Sequence, residues 1–249
     1  MTSKVKKKIL KLKESSTLII NEKSKELISE GKKVYQFGFG QSPFPVPDKI
    51  VEALKKNAHR KEYLPIQGLP QLREKISKYL FVRTGNEYPK ENILITPGSK
   101  EAMLLIHLAF NGEIIIPAPG WVSYEPQADI GSNKVHWLET IRSNNWFPTG
   151  KDLEKKIKSI GKNKNLILII NSPNNPSGMV CDHLEELAEV AKKNKILILS
   201  DEIYTDLTFT NKYKSPVDPP LLPASPFPAN LILVPSSTPL GIVTESLFE

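Results

Sequence analysis

Cysteine is almost missing from this sequence, with Cys181 standing alone in 249 residues. That excludes a disulfide framework and suits a reducing, cytoplasmic setting. Long apolar runs are missing too: none approaches the roughly 20 residues of a membrane-spanning helix, and no signal pattern opens the chain. The histidines His59, His107, His136 and His183 share no metal-ligand spacing, so no metal is expected. Neither Gly-x-Gly-x-x-Gly nor a Walker pattern is present, which leaves nucleotide binding without support. The net charge of +7 is uneven, because six lysines crowd into Lys4 to Lys13. Without an RNP, zinc or helix-turn-helix pattern this is a solvated arm, and nucleic acid is not an expected partner. An arm free of arginine also fits a mitochondrial transit peptide poorly.

The sharpest absence is at the far end. From Pro216 to Glu249 there is no Lys or Arg, whereas the preceding residues hold all 34, and eight prolines lie between Pro216 and Pro239. At the earlier density about five basic residues would be expected, so this is a composition break. Such proline density opposes a regular βα continuation.

What is present is an ordinary globular composition, 39% hydrophobic and 24% charged, in a chain long enough to bury a substantial core. The continuous apolar runs Asn165-Leu-Ile-Leu-Ile-Ile170 and Lys195-Ile-Leu-Ile-Leu199 predict two buried strands, with a helix from about Cys181 to Lys193 between them. That is a parallel βαβ unit, whose ligands sit beyond the carboxyl ends of the strands. Further strands are expected over Asn92 to Thr96, Glu113 to Pro117 and, at the sheet edge, residues 133 to 139. Helices are expected up to Gly31, from Asp48, from Pro97 onward and over residues 151 to 160, with a short strand following Gly31.

The polar tips carry the chemistry. Asn175, Asp201 and Tyr204 should converge: a carboxylate to hold a proton on a heteroaromatic nitrogen, an amide and a phenol to bond an oxyanion on the same ring. The tips Asn171-Ser-Pro-Asn-Asn-Pro-Ser-Gly178 and Ser200-Asp-Glu-Ile-Tyr204, one crossover apart, resemble those of fold-type I aminotransferases, class I/II, the aspartate aminotransferase superfamily. The resemblance covers about residues 14 to 215 and fades beyond Ser215. It implies an α/β fold, a three-layer large domain with a mainly parallel sheet, and pyridoxal 5′-phosphate as cofactor. It also places a cofactor-binding role on Asn175, Asp201 and Tyr204.

Other segments follow the family. Tyr63-Leu-Pro-Ile-Gln-Gly68-Leu-Pro-Gln-Leu-Arg73 resembles its Tyr-x-x-x-x-Gly-x-x-x-Leu-Arg, whose tyrosine reaches the phosphate of a neighbouring subunit, so a homodimer is implied. Pro97-Gly98-Ser99-Lys100 opens a helix where the family cradles the phosphate; free N–H groups and the helix dipole favour an anion there. Trp121 stands where the family stacks an aromatic ring on the cofactor, and Gly40 where it approaches the substrate carboxylate. Tyr124 reads as structural. The implied organisation is an arm and small-domain segment over 1–40, an incomplete cofactor domain over 41–215 and an atypical tail over 216–249, the C-terminal small domain being absent.

One part is missing. The family's carrier lysine, which forms a Schiff base with the cofactor and shuttles the substrate's Cα proton, follows a further strand some 30 to 40 residues after the aspartate. Here that window reads Asn230-Leu-Ile-Leu-Val234-Pro-Ser-Ser-Thr-Pro-Leu240, without a lysine. Lys212 and Lys214 come too soon after Asp201 to replace it. The resemblance implies amino-group transfer between an L-amino acid, aspartate being one candidate, and a 2-oxo acid. A frameshift or premature stop accounts for both the tail and the missing lysine. The alternatives are therefore a non-catalytic fragment or cofactor-binding pseudoenzyme, and a carbon–sulfur lyase of the same superfamily.

Overall fold

The computed structural model describes residues 7–10, 16–36, 40, 42, 44–209, 215 and 232–235. The chain forms two compact units, Met1–Arg60 and Lys61–Glu249.

The first unit contains α1 (Lys7–Leu10), α2 (Ser16–Ser29) and α3 (Asp48–Asn57). As expected, Gly31 stops the helix that precedes it: at φ +79° it takes the left-handed turn that lets Lys32 donate back to the Leu27 carbonyl at 3.0 Å. The strand expected next does not form over residues 32–36, and residues 37–39 fall outside the described set. A short Lys-Lys-Val-Tyr-Gln stretch gains strand stability only from a neighbour to pair with.

In the second unit the apolar runs become strands β1 (Ile93–Thr96), β2 (Glu113–Ala118), β3 (Val135–Glu139), β4 (Leu166–Asn171), β5 (Leu197–Asp201) and β6 (Ile232–Pro235). β2 to β5 make one parallel sheet ordered β3-β2-β4-β5, and β1 pairs with β6, also in parallel. Between them run α4 (Pro70–Thr84), α5 (Ser99–Ala109), α6 (Tyr124–Gly131), α7 (Gly150–Ile160) and α8 (Leu184–Lys193).

Strand alternation divides the core in two. Ile115, Leu166, Leu168 and Ile170 face Leu153 of α7 and Leu184 and Leu187 of α8. Ile114, Ile116, Ile167 and Ile169 face Met103 of α5 and Tyr124 and Ala128 of α6. Helices therefore cover both faces, which is why the strands read as unbroken apolar runs rather than alternating ones. Each fully buried aliphatic chain contributes about 1.5–3 kcal/mol. β5 departs from expectation: Leu197 is exposed and the rest of the strand half-buried, because β5 is the edge of this sheet among the described residues. α8 also begins three residues later than expected, since Cys181 packs into the core and donates its N–H to Ser172 Oγ at 3.0 Å.

His107 on α5 is wholly buried, and among the described residues neither ring nitrogen has a hydrogen-bond partner. Burial lowers its pKa below the usual histidine range. The unfolded chain therefore takes up a proton as pH falls through about 6.5 while the folded chain resists. Stability is full above that value and is lost below it, by up to about 1.4 kcal/mol per pH unit. Urea midpoints measured from pH 7.5 to 5 should show this slope, and His107→Leu should flatten it.

Candidate active site

The tips of β4 and β5 are locked together. Asn171 and Asp201 are register partners; Asn171 Nδ2 donates to the Asp201 carbonyl at 2.9 Å, and its Oδ1 accepts the Asn175 N–H at 2.7 Å. Asn174 shapes the loop, its Oδ1 accepting from the Ser177 N–H at 3.1 Å and Ser177 Oγ at 2.9 Å, while Gly178 donates to its carbonyl at 2.7 Å. Ser172–Pro173 and Asn175–Pro176 are cis. The loop so held delivers Asn175 Nδ2 to the Tyr204 phenol, 3.1 Å away. A cavity of about 560 Å³ opens beside this pair, lined by Asn175, Tyr204, Met179, Asp182, Leu207 and Phe209. Asp201 and Trp121 lie outside that lining.

Asp201 is engaged on the other side. Its Oδ2 accepts from the Tyr124 phenol at 2.6 Å. Burial raises the Asp201 pKa above the ordinary carboxylate range, while the Tyr124 bond and the Ile203 backbone N–H work against that shift. Burial, followed by the neighbouring Asp201 charge, pushes the Tyr124 phenol far up, so it stays a donor at any physiological pH. Tyr124 also meets Trp121 edge to face, with ring centroids 5.4 Å apart at 80°.

The tips of β1 and β2 supply the remainder. Gly98, at φ +105°, precedes the first turn of α5 in a conformation that other residues rarely adopt, and donates to the Thr96 carbonyl at 2.7 Å. Ser99 and Lys100 begin the helix, where first-turn N–H groups have no intrahelical acceptor. The Lys100 ammonium lies 5.6 Å from the Trp121 ring centroid, and the Lys100 carbonyl accepts from Gln127 Nε2 at 2.7 Å, tying α5 to α6.

Tyr63 is 105% exposed, its ring open to solvent, as a side chain meant for a neighbouring subunit would be. Gly40 belongs to the first unit and is exposed there. Two others went unassigned: Asn171, which joins both tips, and Tyr124, read from sequence as structural. The available signal was position, since Asn171 ends a buried strand and Tyr124 follows Trp121 by three residues at the start of a helix. Among the described residues no cluster of His, Cys, Asp and Glu fits a metal ion, and no helix is long and apolar enough to cross a membrane.

Residues 32–234 match the family described as aminotransferase class I and II. The chain belongs to that family. Class I and II aminotransferases depend on pyridoxal 5′-phosphate, and an aspartate aminotransferase of Thermotoga maritima is 33% identical over 221 residues, covering 86% of this chain and 58% of that protein. One from Geobacillus stearothermophilus is 35% identical over 213 residues, 83% of this chain and 53% of that protein. The solved structure of Thermus thermophilus aspartate aminotransferase with maleate superimposes with a TM-score of 0.79 at 28% identity, covering 86% of this chain and 57% of that one. The chain thus spans a little over half the length of the curated aminotransferases it matches. The match also runs past Ser215, where the sequence resemblance fades, as far as Val234. Family sequence thus continues beyond Ser215 and takes in most of β6, whose residues Ile232–Pro235 pair with β1.

Proposed function

We propose that this chain binds pyridoxal 5′-phosphate at the strand tips of its second unit, as the cofactor-binding portion of an aminotransferase. The observation that supports this reading most is that the neighbouring, register-matched ends of β4 and β5 carry a carboxylate, Asp201, held by Tyr124, and an Asn175–Tyr204 pair bonded to each other. The donor set fits the group. Asp201 is a half-buried anion for a protonated ring nitrogen, and Asn175 and Tyr204 offer paired donors for the phenolic oxygen. Trp121 supplies a flat apolar face. Gly98, Ser99 and Lys100 provide N–H groups, a hydroxyl and a cation for the phosphate. Tyr63 would serve the phosphate of a second copy, making the chain a homodimer, and Gly40 the substrate carboxylate. In this division residues 1–40 begin the small-domain segment, 41–215 belong to the cofactor domain and 216–249 differ from it in composition; a cytoplasmic setting fits the lone buried thiol.

When bound, the cofactor supplies the electron sink for reactions at an amino acid's Cα. The protein's own part is to keep the ring nitrogen charged through Asp201, to bond the phenolic oxygen through Asn175 and Tyr204, and to fix the ring plane through Trp121. By family the reaction is amino-group transfer between an L-amino acid and a 2-oxo acid. A non-catalytic, cofactor-binding role is favoured for this sequence by one observation: the window Asn230–Leu240, where the family's carrier lysine would fall, holds no lysine.

Equilibrium dialysis with pyridoxal 5′-phosphate and with pyridoxal tests the site. The folded chain should bind the phosphorylated form more tightly. Gly98→Ala forces a side chain onto a strained backbone worth about 1–3 kcal/mol, so it should weaken the phosphorylated ligand roughly tenfold and leave pyridoxal nearly unaffected. Equal weak binding of both ligands by the unsubstituted chain would refute the phosphate cradle. The dimer is tested by sedimentation. A folded monomer whose cofactor affinity is unchanged in Tyr63→Phe would contradict the role given to Tyr63.

A further inference from the structure

Tyr124 is among the largest side chains fully buried in this protein, 1% exposed, and it does two things at once. Its hydroxyl donates to Asp201 Oδ2 at 2.6 Å, and its ring meets the Trp121 indole edge to face at 5.4 Å. These are the carboxylate and the aromatic face to which the proposed function gives the ring nitrogen and the ring plane. We propose that Tyr124 is a positioning residue for the cofactor: its phenol holds the Asp201 carboxylate in one orientation and in its charged form, while its ring sets the place of the Trp121 indole relative to that carboxylate.

The chemistry supports a role beyond filling space. A phenylalanine would occupy the same volume between α6 and the sheet, so packing alone does not call for the hydroxyl. A buried carboxylate needs donors to stay ionised, and the neighbouring Glu202 charge adds to the burial that opposes ionisation of Asp201. Tyr204, the other phenol close to Tyr124, accepts from Asn175 Nδ2, whereas the Tyr124 hydroxyl donates to Asp201 Oδ2. The donor is therefore spent on the group whose charge the proposed site requires.

The assignment rests on the proposed function, and its test separates the two. In the ligand-free chain, Asp carboxyl-carbon NMR should show the Asp201 midpoint moving up by about one pH unit in Tyr124→Phe, with unfolding midpoints close to those of the unsubstituted chain. Pyridoxal 5′-phosphate should bind that variant about tenfold more weakly near pH 7, and the ring-nitrogen signal of ¹⁵N-labelled cofactor should move toward the unprotonated form. Tyr124→Leu, which removes the ring as well, should bind more weakly still. An unchanged Asp201 midpoint with unchanged affinity in Tyr124→Phe would overturn the assignment; equal losses in the two variants would overturn the part given to the ring. Failure of the unsubstituted folded chain to bind the cofactor would overturn the proposed function instead, and the Asp201 titration, which needs no ligand, would still decide whether the phenol sets the carboxylate.

Discussion

Replacing Asp201 with alanine should cost the chain about 2–5 kcal/mol of pyridoxal 5′-phosphate binding, a loss of roughly 30-fold to several-thousandfold in affinity. Asp201 is the half-buried carboxylate at the tip of β5, and it would face a protonated pyridine nitrogen that the bound cofactor's ring shields from bulk water. Truncating one member of such a pair leaves the other charge buried without compensation, which is costlier than the loss of a surface contact. Asp201→Asn should show the loss of charge with little change of shape. The adjacent Glu202, bonded to Ser200 Oγ at 2.9 Å and Ser215 Oγ at 2.7 Å, is the control. Its substitution by glutamine should change affinity little. Since burial raises the Asp201 pKa, affinity should also fall on acidification at a higher pH than an ordinary carboxylate would give. Dialysis across pH 7 to 4.5 checks this, and an Asp201→Ala chain that binds like the parent would remove Asp201 from the site.

The second large effect concerns turnover. A chain with this sequence should show no steady amino transfer to 2-oxoglutarate, because no lysine lies in the segment where the family places its carrier. General acid–base catalysis alone is worth about 10²- to 10⁴-fold, and here the group that would move the Cα proton and the group that would hold the aldehyde are the same missing amine. Lys100 is not a substitute, since its ammonium lies over the Trp121 ring and the proposed function assigns it to the phosphate. Borohydride treatment of the loaded chain should therefore leave the cofactor removable on denaturation. Steady turnover, with cofactor trapped stoichiometrically on one lysine, would show that another amine does the work.

How much of this was legible in the sequence differs from residue to residue. The strands β2 and β4 could be read directly, because isoleucine and leucine runs covered on both faces leave no other economical structure. That Asn175, Asp201 and Tyr204 fall at neighbouring strand ends was legible for a related reason: a parallel βαβ unit places both carboxyl ends together, and the register pairing of Asn171 with Asp201 does this. The edge position of β5 was not legible, since strand order depends on crossovers that local patterns do not encode. Nor was the bond between Tyr124 and Asp201, which are 77 residues apart and joined only when α6 packs on the sheet. The proline-rich segment misled in the other direction. Its composition marks a break, yet the family match continues to Val234, and the four residues Ile232–Pro235 still pair with β1. Composition registers what a segment is made of, whereas a parallel ladder needs only a few extended residues at the right separation.

The most direct test of the central claim is isothermal titration of the folded chain with pyridoxal 5′-phosphate. The account predicts one saturable site per chain, weakened in Asp201→Ala and shifted in its pH dependence by Tyr124→Phe. A chain that is folded by circular dichroism and cooperative in its unfolding, yet gives no saturable heat, would contradict it.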